Sequence, residues 1–245
     1  MGKAKSTLKL YCNALGRLRH SKGFGIHSPF AFSFVLRVLR EKCAYYAYSD
    51  IEERRRLAIR LVAEEEGEHP RIISQKNAKM LFRIACYFNP SNMVQIGTSY
   101  GVSTTAVLDV SSTSKLVIYK GASSHDKIYD AVTEGHARQI IAADSIDDAF
   151  RIYAKLNSDN SGRPFLIVNS LDDEAAMADC VRHGREVLER EGVIVARNLL
   201  VSDLVVGFVR EVTSELDYGM TFTNGRIVVI VGYKHLPRQR FNLWF

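Results

Sequence analysis

The sequence predicts a doubly wound α/β domain with a mostly parallel sheet, preceded by a helical N-terminal extension. Three observations predict it. From residue 92 five short β-branched runs alternate with helical stretches, the pattern of right-handed βαβ crossovers and of a parallel sheet covered on both faces. The chain then closes on two further strands separated by Asn224-Gly225, the strongest two-residue hairpin signal, so this last pair runs antiparallel. Before residue 90 the apolar residues recur at helical spacing instead.

Taken in order, Leu8, Tyr11, Cys12, Leu15 and Leu18 mark a first helix, with Lys3, Lys5, Lys9, Arg17 and Arg19 on its other faces. The segment Gly23–Phe30 breaks it. Ser28 is a good N-cap there, and Pro29 suits the first helical position because its missing N–H costs nothing. Helices are expected over about 29–43 and about 50–66, and over Ser74–Phe88, closed by Asn89-Pro90. The strands expected next are Met93–Gly97, Lys115–Lys120, Arg138–Ala142, Pro164–Asn169 and Gly192–Asn198. Helices lie between them at about 101–110, 122–133, 145–156 and 172–190, and another follows near 201–215. Met220–Thr223 and Ile227–Tyr233 form the terminal pair. This divides the chain into an extension over residues 1–90 and an α/β domain over 91–245, with no internal repeat.

Composition narrows the function classes. The chain has 245 residues, 47% of them hydrophobic and 24% charged, ordinary values for one globular core. Its net charge of +6 is not gathered in one block, and residues 3–22 supply positive charge with only Tyr11 interleaved, which argues against a nucleic-acid partner. Cys12, Cys43, Cys86 and Cys180 form no C-x-x-C pair, as expected of reduced thiols in a cytoplasmic protein. No signal peptide is expected, and no apolar run approaches the roughly 20 residues of a membrane-spanning helix.

In an open parallel sheet ligands bind beyond the carboxyl ends of the strands, where the strand order reverses. The first strand runs into Gln95-Ile96-Gly97-Thr98-Ser99-Tyr100-Gly101-Val102-Ser103-Thr104. Gly97 allows a tight turn, Gly101 allows close approach, and Ser99, Ser103 and Thr104 bring hydroxyls to a helix start. The pattern is G-x-x-x-G, so the G-x-G-x-x-G nicotinamide fingerprint is absent.

Residues 95–104 resemble the first motif of class I S-adenosylmethionine-dependent methyltransferases of the catechol O-methyltransferase-like kind, E-[IL]-G-T-x-x-G-x-S-T. Gly23–Phe30 resembles the G-x-H-S-P-F element of a group of bacterial methyltransferase-like proteins, and Gln239–Leu243 that group's basic-aromatic tail. The resemblance implies a Rossmann-like seven-stranded sheet with its last strand antiparallel. It also implies S-adenosylmethionine as cofactor, held by Gln95, Gly97, Thr98, Ser99, Gly101, Ser103, Lys120, Asp144, Ser145 and Asn169.

Four acidic positions of that pattern are missing. Gln95 replaces the glutamate two residues before the first glycine. The acid that accepts the ribose hydroxyls falls at or next to Lys120, which has donors and no acceptor. Ile167-Val168-Asn169-Ser170 replaces an Ile-Asp-Gly element, and Arg197-Asn198 replaces an acidic pair. Ser123, Ser124 and Asp126 are candidates to compensate at the second strand. Two amides and a cation make a poor site for Mg²⁺, and Asp172 and Asp173 read as helix caps, so no metal is expected. Asp144-Ser145 falls on the adenine side and also reads as an N-cap. His27 is a candidate base, although a His beside a Ser-Pro helix start is more often structural. His125, His136 and His183 read as surface residues, and Tyr45, Tyr46 and Tyr48 as a core corner, a subunit contact or a pocket for an aromatic substrate.

Two functions remain in contention. One is a metal-independent methyltransferase acting on a small-molecule acceptor, with no catalytic residue assigned. The other is a pseudoenzyme, a binding or scaffold protein that keeps the fold and has lost the cofactor. Loss of acids at one end of one sheet also makes the pocket less negative, which suits an anionic ligand. A homodimer through the N-terminal helices is expected, because helices outside the main domain need to bury their apolar stripes.

Overall fold

The computed structural model describes residues 26–66, 72–122, 125–158 and 162–245. The helix expected around Leu8–Leu18 lies outside the described residues. Ser28 caps the first described helix, α1 (Pro29–Phe34), by accepting the Ala31 N–H at 3.3 Å. The helix loosens into a π-helical turn at Val35–Leu39 and stops there, short of the expected residue 43. Two contacts explain the early stop. Arg83 takes the carbonyls of Val38 and Leu39, and the Glu41 carboxylate turns back onto the N–H groups of Lys42 and Cys43. Two longer helices follow, α2 (Tyr48–Glu66) and α3 (Gln75–Phe88), the latter capped by Ser74 and closed by Asn89 in the left-handed region.

The sheet begins with β1 (Asn92–Ile96), α4 (Val102–Leu108), β2 (Lys115–Tyr119), α5 (Asp126–Thr133) and β3 (Ile140–Ala142). It continues through α6 (Ile146–Leu156), β4 (Phe165–Val168), α7 (Glu174–Glu189), β5 (Val193–Arg197) and α8 (Asp203–Ser214). The final strands are β6 (Met220–Thr223), β7 (Ile227–Val231) and β8 (Gln239–Asn242). The sheet order is β3-β2-β1-β4-β5-β7-β6-β8. Strand order reverses between β1 and β4, which places the expected crevice at the ends of those strands. The fold is therefore Rossmann-like α/β, with β7 antiparallel to both of its neighbours.

The seven expected strands are all present, and an eighth is added. β8 pairs in parallel with β6 at the sheet edge. Its residues are mostly exposed, and only Phe241 packs inward, stacked on Phe222 at 5.1 Å. A short basic edge strand of this kind has too little apolar alternation to be read as a strand, and its charge guards the open edge.

Alternation along the strands divides two cores. Val193 and Val195 face one side, with α1, α3 and α4, while Ile194 and Ala196 face the other, with α6, α7 and α8. The N-terminal helices are thus a layer on the sheet. Phe34 of α1 is fully buried, 4.9 Å from Phe222 on β6. A third cluster joins Ile51, Ala58 and Val62 of α2 to Phe82, Val102 and Ile128. No helix among the described residues is long and apolar enough to cross a membrane.

Candidate functional site

A cavity of about 670 Å³ opens at the carboxyl ends of the strands. The β1–α4 turn supplies Thr98, Ser99 and Tyr100 to its wall, and α4 adds Val102 and Ser103. The approach to α3 contributes Ile72, Ile73, Ser74 and Asn77. Asn169 and Ser170 come from the end of β4, Arg197 and Asn198 from β5, and Arg226 and Ile227 from β7. His125 closes one side, stacked on Tyr100 at 4.6 Å, while Leu200 and Val201 stand largely exposed at the rim. No carboxylate lines the cavity among the described residues.

Of the ten residues expected to hold a cofactor, four line this cavity: Thr98, Ser99, Ser103 and Asn169. The other six do not. Gln95 is fully buried beneath the turn, where its Nε2 donates to the Gly97 carbonyl at 3.2 Å and to Thr104 Oγ1 at 3.0 Å. A glutamate in its ionised form could not donate to the Gly97 carbonyl, so the amide suits the fold itself. Gly97 has φ +76, and a Cβ there would stand 2.6 Å from the Ser170 carbonyl and 2.7 Å from its nitrogen. The glycine is required by the chain folded against it. At Gly101, with φ +80, a Cβ would meet the Thr133 methyl at 2.9 Å and the Tyr129 carbonyl at 3.2 Å.

At the end of β2, Lys120 Nζ binds Asp126 at 2.7 Å and Asp130 at 3.5 Å and sits 4.6 Å from the centre of the Tyr129 ring. Its pKa is raised by these carboxylates against the opposing effect of burial. Asp126, one of the candidate compensators, is therefore paired with the lysine, while Ser123 and Ser124 lie outside the described residues. The Asp172 carboxylate crosses from the β4–α7 loop to accept the Ala122 N–H at 2.9 Å. At the end of β3, Ser145 caps α6 through the Asp148 N–H at 3.1 Å, and the Asp144 N–H donates to Asp148. Asp173 caps α7 at 2.7 Å.

One polar chain links the strand ends beside the cavity. Asn169 Nδ2 donates to the Gly97 carbonyl at 3.0 Å, and its Oδ1 accepts from Arg197 Nη1 at 2.9 Å. Asn198, held at φ +64, donates to the Asn169 carbonyl at 2.9 Å. Arg197 is 8% exposed. No carboxylate lies within ion-pair distance of it among the described residues, and burial alone pushes its pKa down to about 10. It remains charged at neutral pH.

Other candidates fall elsewhere. His27 is exposed and does not line the cavity. The tyrosine cluster packs as a corner on Phe82, with Tyr45 at 5.6 Å and Tyr48 at 6.0 Å, and the Tyr46 hydroxyl donates to the Asp109 carbonyl. Two histidines expected at the surface are buried: His136 between Asp109 and Gln139, and His183 stacked on Phe150 and bonded to Asp147. Their partners are distant in sequence, 27 and 36 residues away for the two aspartates, which hid both sites. The cavity residues on α3 and at the rim carried no local signal beyond the Ser74 cap.

No family model matches the chain, and no curated protein sequence matches it. Solved structures similar to it include an O-methyltransferase from Bacillus cereus in complex with SAH, 16% identical, covering 81% of this chain and 95% of that one, with a TM-score of 0.49. The O-methyltransferase TomG from Streptomyces achromogenes, in complex with SAM, is 14% identical over 82% and 96% of the two chains, with a TM-score of 0.49. A methyltransferase from Geobacter sulfurreducens is 15% identical over 78% and 90%, with a TM-score of 0.47.

Proposed function

We propose that this chain is a small-molecule-binding protein on a methyltransferase-like fold, and that it does not use S-adenosylmethionine as a cofactor. One observation supports this above the others. The cavity opens over the ends of β1, β4, β5 and β7, while the ends of β2 and β3 carry groups engaged with one another. The resemblance would lay the ribose over the end of β2 and the adenine near β3. There Lys120 is tied to Asp126 and Asp130, and Ser145 is used as a cap. A hydrogen bond to a charged group contributes about 1.5–3 kcal/mol, so losing a bidentate diol contact costs about 3–6 kcal/mol. The step from micromolar to millimolar binding is about 4 kcal/mol.

A specific observation favours the second reading, a metal-independent methyltransferase. Asp172 brings a carboxylate to the end of β2 from the neighbouring loop, where a diol needs an acceptor. The Thr98, Ser99 and Ser103 hydroxyls also remain in the cavity wall. Calorimetric titration of the full chain with S-adenosylmethionine and S-adenosylhomocysteine separates the two. The proposal expects no binding up to millimolar ligand. Micromolar binding that weakens tenfold in Asp172→Asn would overturn the proposal and favour the second reading.

A further inference from the structure

Arg197 has a buried positive charge and, among the described residues, no acid to answer it. Its one side-chain partner is the neutral Asn169 Oδ1, at 2.9 Å through Nη1. No other side-chain partner of Arg197 is present among the described residues, and the residue lines the cavity. A desolvated cation is costly unless it is paired, and breaking a buried ion pair typically costs several kcal/mol. Among the described residues the site around it contains no carboxylate, and Arg226 adds a second positive charge at the exposed rim. The remaining wall is mixed, with the polar side chains of Asn77, Ser99 and Ser103 beside apolar ones. Ile72, Ile73 and Tyr100 line it, and Leu200 and Val201 are each 68% exposed at its edge.

We propose that the cavity binds a small carboxylate with an apolar body, its carboxylate held by the Arg197 guanidinium and its aryl or alkyl part against Ile72, Ile73 and Leu200. This rests on the small-molecule-binding reading and names its ligand class. The planar guanidinium fork matches a carboxylate. A single buried cation balances a monoanion, whereas a phosphate dianion would leave a net buried charge. The volume of about 670 Å³ lies within the range of small-molecule pockets, roughly 300–1,000 Å³.

The test measures binding of sodium benzoate and 3-phenylpropionate to the full chain by calorimetry and by shift in Tm, beside neutral benzamide and inorganic phosphate. The proposal expects both carboxylates to bind, 3-phenylpropionate more tightly, with benzamide and phosphate at least tenfold weaker. Arg197→Met is expected to keep or raise the ligand-free Tm and to weaken carboxylate binding at least tenfold. Should that variant fail to fold, Arg197→Lys serves: it keeps the charge, loses the fork, and is expected to bind at least threefold more weakly. Benzamide binding as well as benzoate, phosphate binding better than either carboxylate, or full affinity in a folded Arg197 variant would each overturn the proposal. These readouts stand apart from the cofactor titration, so tight S-adenosylmethionine binding would defeat the functional reading without deciding this one.

Discussion

At the residue scale, the positions that depart from the methyltransferase pattern are knit into the interior. Gln95 donates to Gly97 and Thr104, and Asn169 donates to Gly97 while accepting from Arg197. The two bonds to the Gly97 carbonyl need an amide, because a carboxylate has no donor. Restoring the acid therefore tests whether the site has been rebuilt around its absence. Gln95→Glu would point an ionised oxygen at the Gly97 carbonyl in a fully buried place. Burial raises such a carboxyl above its unfolded pKa of about 4.3, so the folded state holds the proton more tightly. The variant should match the parent near pH 4, then lose stability as pH rises through that value, by about 2–3 kcal/mol at pH 7. Chemical denaturation at both pH values checks this, and an equal loss at each would show a packing effect instead. The substitutions themselves were visible in the sequence. The partners of Asn169 were not, because Asn169 and Gly97 lie 72 residues apart and meet only when β4 pairs with β1.

At the scale of elements, α1 joins α3 in packing the helices before β1 onto the sheet. Phe34 is fully buried and packs on Phe222, Tyr87 and Phe88 with ring centroids 4.9–5.5 Å apart. Arg83 fixes the end of the same segment by binding the Val38 and Leu39 carbonyls and the Tyr48 hydroxyl. Phe34→Ala should cost about 3–5 kcal/mol, measured by denaturant unfolding of the whole chain in a single transition. A loss under about 1 kcal/mol would mean that α1 lies outside the cooperative core. Most elements were legible because each has a local cause: Ser28, Ser74, Ser145, Asp173 and Ser202 all cap the helices that follow them. The Asn224-Gly225 turn forms as expected, with Asn224 Oδ1 accepting the N–H groups of Arg226 and Ile227. The Arg83 contact that ends α1 and the pairing of β8 depend on groups from elsewhere in the chain. No local window contains them.

At the scale of the whole molecule, the sheet order positions one open cavity and one occupied strip along the same row of strand ends. The cavity spans β1, β4, β5 and β7, and its charged groups among the described residues are cationic or neutral. The strip over β2 and β3 is held by Lys120 with Asp126 and Asp130, by Asp172 on Ala122, and by Ser145 on α6. The glycine turn that first drew attention to this end of the sheet is shaped by Ser170, whose backbone leaves no room for a Cβ at Gly97. The most direct measurement compares two probes on one sample of the folded chain, 5′-methylthioadenosine for the nucleoside half of the cofactor and 3-phenylpropionate for the cavity. The account predicts that 3-phenylpropionate binds and that 5′-methylthioadenosine does not bind up to millimolar concentration. Micromolar binding of 5′-methylthioadenosine would contradict it.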